Sequence, residues 1–223
     1  MIPPLIDHWS STLRLAIRVA FALAYISVSG CALLSKNEPL APRYFTLSDT
    51  PDGAHATPRA VGATDWSALA LRLGRVSAGA QSRERILYRS GDHEVAYYND
   101  RRWAERPEVY LRRALMRTLF EERGLQRVIS GAAPVLQAEL ITFEEIRGDK
   151  PRARMQVLIT LDDGRTTRLT EIISVERPVQ QSSGDQQANA VARAFGEALR
   201  AGVEMIADHV TAKLQNTINP GAN

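Results

Sequence analysis

Residues 154–164 read Arg154-Met155-Gln156-Val157-Leu158-Ile159-Thr160-Leu161-Asp162-Asp163-Gly164. Met155, Val157, Ile159 and Leu161 alternate with Arg154, Gln156 and Thr160, a period of two that turns one face of a strand to a core and the other to water. Asp163-Gly164 is hairpin-turn chemistry, and Gly148 to Pro151 marks the turn before. From Val135 to Val179 the chain therefore reads as a β-meander of three antiparallel strands. Beyond a Gln/Ser loop over 178–187 the period changes. Val191, Phe195, Leu199, Val203, Ile206, Val210 and Leu214 recur at steps of four and three, the stripe of one long amphipathic helix. Ala188, Ala192, Ala198 and Gly202 beside that stripe suit a helix lying close on a sheet better than a docking surface for another helix.

Working upstream, Arg43 to Leu47 has the β-branched and aromatic content of a first strand. Residues 48–65 are polar, without period, and read as a loop. Leu69, Leu71 and Leu73 alternate as on a half-buried strand, and 85–89 with 93–98 form a hairpin around Ser90-Gly91-Asp92. Asn99 to Arg106 reads as a charged connector containing Trp103. Pro107 suits the first turn of a helix, Leu111, Leu115 and Leu119 supply its buried stripe, and Gly124 ends it. The expected architecture is α/β with α+β character. A single compact domain over 43–217 has a mixed, largely antiparallel sheet with two main helices packed on it, and 218–223 form a disordered tail.

The 223 residues are 44% hydrophobic and 24% charged, which excludes collagen-like and wholly disordered classes. A formal charge of +3 spread along the chain argues against a nucleic-acid partner, which needs a clustered basic face. A single cysteine permits neither an internal disulfide nor a CxxC pair. Catalytic constellations are missing too. His55, His93 and His209 share no metal-ligand spacing, and Glu144-Glu145 point to opposite faces of a strand. Asp162-Asp163 is better explained as turn chemistry than as a metal pair, and neither a G-x-S-x-G elbow nor a phosphate loop occurs. The expectation is no catalytic residue, no metal and no enzyme.

The N-terminus points to a membrane surface. Residues 19–28 are apolar, follow Arg14 and Arg18, and are too short to cross a bilayer, which makes them the hydrophobic region of a signal peptide. Val28-Ser29-Gly30-Cys31 then resembles the lipobox of bacterial lipoproteins. That resemblance implies a signal peptide over 1–30, a tether over 31–42, and diacylglycerol on the Cys31 thiol with an N-acyl chain such as palmitate on its new α-amine. No other cofactor is expected. At about 0.8 kcal/mol per buried methylene, several acyl chains anchor a protein permanently. Ala32, where an Asp would retain such a protein at the inner membrane, implies sorting to the periplasmic face of the outer membrane of a Gram-negative bacterium. The competing reading of Cys31 is a buried free thiol.

Tyr97, Tyr98, Arg101 and Trp103 leave two readings open. Aromatics flanked by guanidinium groups suit a protein-binding surface, but the same residues could pin the connector onto the following helix.

Four segments together resemble one family. They are Tyr44-Phe45-Thr46-Leu47, Arg85-Ile86-Leu87-Tyr88-Arg89, the run from Tyr97 through Trp103-Ala104-Glu105-Arg106-Pro107, and Val191-Ala192-Arg193-Ala194-Phe195 with Ala198-Leu199. They are similar to the ABC-type transport auxiliary lipoproteins, which include PqiC-type proteins. The resemblance implies a non-catalytic periplasmic component of an intermembrane lipid transporter. Its partner would be a mammalian-cell-entry (MCE) domain protein, and self-association in a closed oligomer is implied as well. The alternatives are a pilotin or assembly lipoprotein of another outer-membrane machine, and a cell-envelope hydrolase.

Overall fold

The computed structural model describes residues 41–47, 69–81 and 83–218. Val28, Ser29, Gly30, Cys31 and Ala32, the loop over 48–65 and the tail over 219–223 lie outside the described residues. In chain order the elements are β1 (Arg43–Phe45), β2 (Ala70–Ala78), β3 (Arg85–Ser90), β4 (Glu94–Trp103), α1 (Pro107–Met116) continued by a π-helical turn (Arg117–Glu122), β5 (Gln126–Arg127), β6 (Val135–Ile146), β7 (Arg152–Asp162), β8 (Thr167–Pro178) and α2 (Asp185–Ile218).

β6 organises the sheet. β7 pairs antiparallel along its whole length on one edge, and β8 continues the meander beyond β7. The other edge of β6 takes two parallel partners end to end, β2 along 135–140 and β3 along 144–146. β4 folds back antiparallel on β3, β1 adds parallel to the end of β4, and β5 adds parallel to the start of β2. The result is one mixed eight-stranded sheet. The alternating Met155, Val157, Ile159 and Leu161, with Ala153 before them, are all fully buried beneath the helices. The opposite face of the sheet has no helix on it among the described residues.

α2 is 34 residues long and lies on β7 and β8. Small residues permit this close approach. A Cβ at Gly202 would collide with the terminal methyl of Met155, so the helix backbone rests directly on that side chain. Arg123 at the end of the π-helical turn binds Glu204 (3.0 Å) and Asp208 (2.6 Å) and ties the two helical segments together. Gly124 follows with φ of +70°, the left-handed cap that lets the chain leave the helix. Among the described residues no helix is long and apolar enough to cross a membrane.

Three expectations need correction. The charged stretch from Asn99 to Trp103 is strand, not connector, because β1 pairs with Arg101, Arg102 and Trp103 and extends β4 by giving it a second neighbour. The first helix ends in a π-helical turn where a plain α-helix is expected. α2 begins at Asp185, inside the stretch expected to be a Gln/Ser loop up to 187, and continues to Ile218, the first residue of the expected tail.

The β7–β8 turn is held by Asp163, whose carboxylate accepts from the backbone N–H groups of Thr166 (2.8 Å) and Arg165 (2.9 Å). Those bonds, with help from Arg168, lower its pKa from 3.8 to about 2. A depressed acid contributes stability that is present above its unfolded pKa and lost as pH falls through the folded one. Asp163→Ala should therefore lower Tm at neutral pH, and the gap to wild type should close between about pH 4 and pH 2. A gap independent of pH would show that the carboxylate charge does not hold the turn.

Candidate partner-binding surface

β4 carries all four of the aromatic and arginine residues singled out above, and it sends them to three environments. Trp103 points under the helices and is 1% exposed. Its ring meets Phe195 edge-on at 5.1 Å, Phe143 at 5.7 Å and Tyr110 at 6.5 Å. Of its two readings the structure supports the core one, and Trp103 presents no surface to a partner. The physical reason is the strand extension, which pairs Trp103 with Phe45 of β1 and aligns both side chains with the helical layer.

Tyr98 and Arg101 belong to a second, compact cluster. The Tyr98 hydroxyl donates to the buried carboxylate of Glu145, and Tyr88 meets the Tyr98 ring edge-on at 5.0 Å. The Arg147 guanidinium stacks on Tyr88 at 3.4 Å and lies 4.5 Å from the Tyr98 centroid, while Arg101 stacks on Tyr98 at 4.2 Å. Burial, and after it the bond to Glu145, pushes the Tyr98 phenol above its ordinary pKa. Burial opposes the charge on Arg147, but the contacts with Tyr98, Glu145 and Tyr88 outweigh it and raise its pKa. Cation–π stacking offsets part of the cost of desolvating two guanidinium groups. Arg101 joins it by stacking, since its buried Nε and Nη1 make no hydrogen bond and Nε stays 3.9 Å from Asp100, and the cluster fastens β3, β4 and β6 together.

Tyr97 faces the open side. Its hydroxyl donates to the Gln81 carbonyl at 3.2 Å, and the Arg85 guanidinium stacks on its ring at 4.6 Å. Arg85 is in register with Arg102 on β4, and Arg102 with Tyr44 on β1. Tyr44 is 64% exposed. Tyr44, Arg102, Arg85 and Tyr97 thus form an aromatic and guanidinium strip at the β1–β4–β3 end of the open face. Tyr44 and Arg85 escaped the sequence reading as contact residues. Both stand in segments that carry the family resemblance, but only the pairing of β3 with β4 brings Arg85 to Tyr97, and only the parallel register of β1 brings Tyr44 to Arg102.

Glu144 and Glu145 do point to opposite faces, and both are buried. Glu144 is bound by Arg89 (3.0 Å) and by Arg154. His93 is exposed, and His209 Nδ1 lies 2.7 Å from a Glu171 carboxylate oxygen near the surface. Among the described residues no group of three or more His, Cys, Asp or Glu side chains could hold a metal ion.

Residues 45–201 match the model of the family described as the ABC-type transport auxiliary lipoprotein component, and the chain belongs to that family. Membership makes it a membrane-anchored lipoprotein whose partner is an ABC-type transport system. Protein XCC0632 from Xanthomonas campestris shares the fold at 18% identity and a TM-score of 0.62, over 79% of this chain and 99% of that one. A second solved structure, of an uncharacterised protein, is 13% identical with a TM-score of 0.55, over 76% of this chain and 99% of the other. No curated protein matches the chain in sequence.

Proposed function

We propose that this protein is a non-catalytic auxiliary lipoprotein of an intermembrane lipid transporter, anchored through acylated Cys31 at the periplasmic face of the outer membrane, where it docks an MCE-domain protein. The observation that carries the reading is the family match over residues 45–201, which runs from the last residue of β1 to the middle of α2 and so takes in β2 through β8. The docking contact is the strip of Tyr44, Arg85, Tyr97 and Arg102. It combines large aromatic area with donors that tolerate a polar rim, the composition of binding hot spots. Tyr98 and Arg101 support it from the other side of β4 by holding that strand in place.

The test uses the full chain in its own membranes. Cys31→Ala should leave uncleaved precursor or a soluble form, and recovery of that variant in the outer-membrane fraction at wild-type level would overturn the anchor. Capture from detergent extracts followed by mass spectrometry should retain an MCE protein with wild type. Tyr44→Ala with Tyr97→Ala should reduce that retention at least tenfold at unchanged Tm. Retention of the components of a different outer-membrane machine would instead make the protein a pilotin or assembly factor.

A further inference from the structure

A bulge interrupts the ladder between β2 and β6. Leu73 pairs with Leu136 and Val76 with Ala138, so Gly74 and Arg75 together oppose Gln137. Bulges gather beside functional sites because they re-aim a side chain without ending the strand. Here Leu73 and Val76 keep their places against the core while Arg75 is turned out to the exposed side of the sheet. The position before it has room only for glycine, since a Cβ at Gly74 would lie 2.7 Å from Val135 Cγ1. Arg112 of α1 fastens the bulge by donating to the Gly74 carbonyl at 3.0 Å.

The open face is hollowed beside this bulge. A concavity of about 340 Å³ is lined by Arg75 and Ser77 of β2, Gln137 and Glu139 of β6, and Leu158 and Thr160 of β7. That volume suits a small ligand or the head of a larger one. Among the described residues, the side chains of Arg75, Ser77, Gln137, Glu139 and Thr160 make no hydrogen bond and no ion pair. Glu144, further along β6, is by contrast gripped by two arginines. A guanidinium and a carboxylate thus face one hollow without neutralising each other. The rows of the sheet sort the chemistry. Gln137 and Thr160 are paired across β6 and β7 next to Arg75, which gathers three kinds of donor at one end. The neighbouring row runs Ser77, Glu139, Leu158, Ile172 and passes from hydroxyl through carboxylate to hydrocarbon, with Ile172 56% exposed.

We propose that this hollow binds the head of an ethanolamine phospholipid. The phosphodiester takes the donors of Arg75, Gln137 and Thr160, the primary ammonium on its two-carbon arm takes Glu139, and the first part of the hydrocarbon lies along Leu158 and Ile172. A guanidinium suits the phosphate because its planar fork bonds two oxygens at once. Glu139 supplies the selectivity. A phospholipid head that carries no cation would set its phosphate against that carboxylate with nothing between them, and such like-charge contact is how a site rejects the wrong ligand. Leu158 and Ile172 favour a lipid over its free head, since hydrocarbon laid on them leaves water. The hollow stands on β2, β6 and β7, on other strands than Tyr44, Arg85, Tyr97 and Arg102. The inference therefore rests on neither the MCE partner nor the anchor at Cys31.

Native mass spectrometry of the full-length protein in maltoside micelles tests the site. The probes are phosphatidylethanolamine and phosphatidylglycerol with the same acyl chains, offered in equal amounts. Wild type should retain the ethanolamine lipid over the glycerol lipid at least tenfold. Arg75→Ala should lower retention of both at least tenfold at unchanged Tm, and Arg75→Lys should recover part of it. Glu139→Gln should abolish the preference while the total lipid retained persists, a result that misfolding cannot produce. Leu158→Ser should weaken the lipid but leave binding of glycerophosphoethanolamine, the same head without chains, as in wild type. Equal retention of the two lipids by wild type, or retention of neither, overturns the proposal. So does retention that survives Arg75→Ala, and so does glycerophosphoethanolamine bound as tightly as the lipid, which would make a free soluble head the ligand.

Discussion

Trp103→Ala is expected to cost about 3–5 kcal/mol of folding stability, the range for truncating a fully buried large aromatic. Trp103 ends β4 where sheet and helices meet. Phe195 of α2, Phe143 of β6 and Tyr110 of α1 surround its ring. Those neighbours sit on three different elements, so none can swing in to fill the space without breaking its own packing, and the cavity term is kept in full. The denaturant midpoint should fall with little change in slope. Trp103→Phe should recover part of the loss. A Trp103→Ala variant within 1 kcal/mol of wild type would mean that the site collapses freely and that the aromatic cluster is not the keystone of the core.

The second large effect is expected at Glu144. Its carboxylate is 1% exposed and lies between Arg89 and Arg154, whose side chains remain 28% and 25% exposed. The bond to Glu144, and then its charge, raise the pKa of Arg89. Removing one partner of a buried pair typically costs 3–5 kcal/mol because an uncompensated charge remains. Here both stranded guanidinium groups keep access to water, which reduces the expected cost of Glu144→Ala to about 2–3 kcal/mol. Glu144→Gln, which keeps an acceptor but not the charge, should cost less. Combining Glu144→Ala with Arg154→Ala should cost less than the sum of the two single changes. Full additivity would show that Arg154 and Glu144 do not act as a pair.

What the sequence discloses and what it conceals follows from how local each signal is. The meander from Val135 and the helix through Leu214 are legible because alternation and the four-three step each describe a neighbourhood in the chain. The Leu69 to Leu73 strand was legible for the same reason, and so was Asp163 as a turn residue. The end of β4 was not. Asn99-Asp100-Arg101-Arg102 has the composition of a loop, and it becomes strand only because β1, some sixty residues earlier, arrives parallel to it. The parallel placement of β2 and β3 along one edge of β6 is invisible for a similar reason, since nothing local distinguishes it from further hairpins. Of the proposed contact residues, Tyr97 and Tyr98 were legible as neighbours that alternate across a strand, with nothing to say which of them faces out, whereas Trp103 read equally well as core or contact. Tyr44 and Arg85 needed the register. The stacking of Arg101 and Arg147 on Tyr98 and Tyr88 depends on how β3, β4 and β6 are aligned, which no spacing along the chain reveals.

β1 is only three residues long, yet it is the point at which the described domain begins. A pull on the chain upstream of Ala41 therefore enters the fold through Arg43, Tyr44 and Phe45. Because β1 runs parallel to the end of β4, the load meets its ladder bonds in shear, all at once rather than one after another. The N–H of Ala104 donates to the Phe45 carbonyl at 2.8 Å, and Phe45 and Leu47 are plugged into the core. Force is thereby passed to the Trp103 end of β4 and into the aromatic cluster. Arg43 also grips Asp185 at the first turn of α2, so the long helix shares the tension. A load entering at Arg43 is thus spread over the sheet, the aromatic cluster and the long helix before β1 can be stripped from β4.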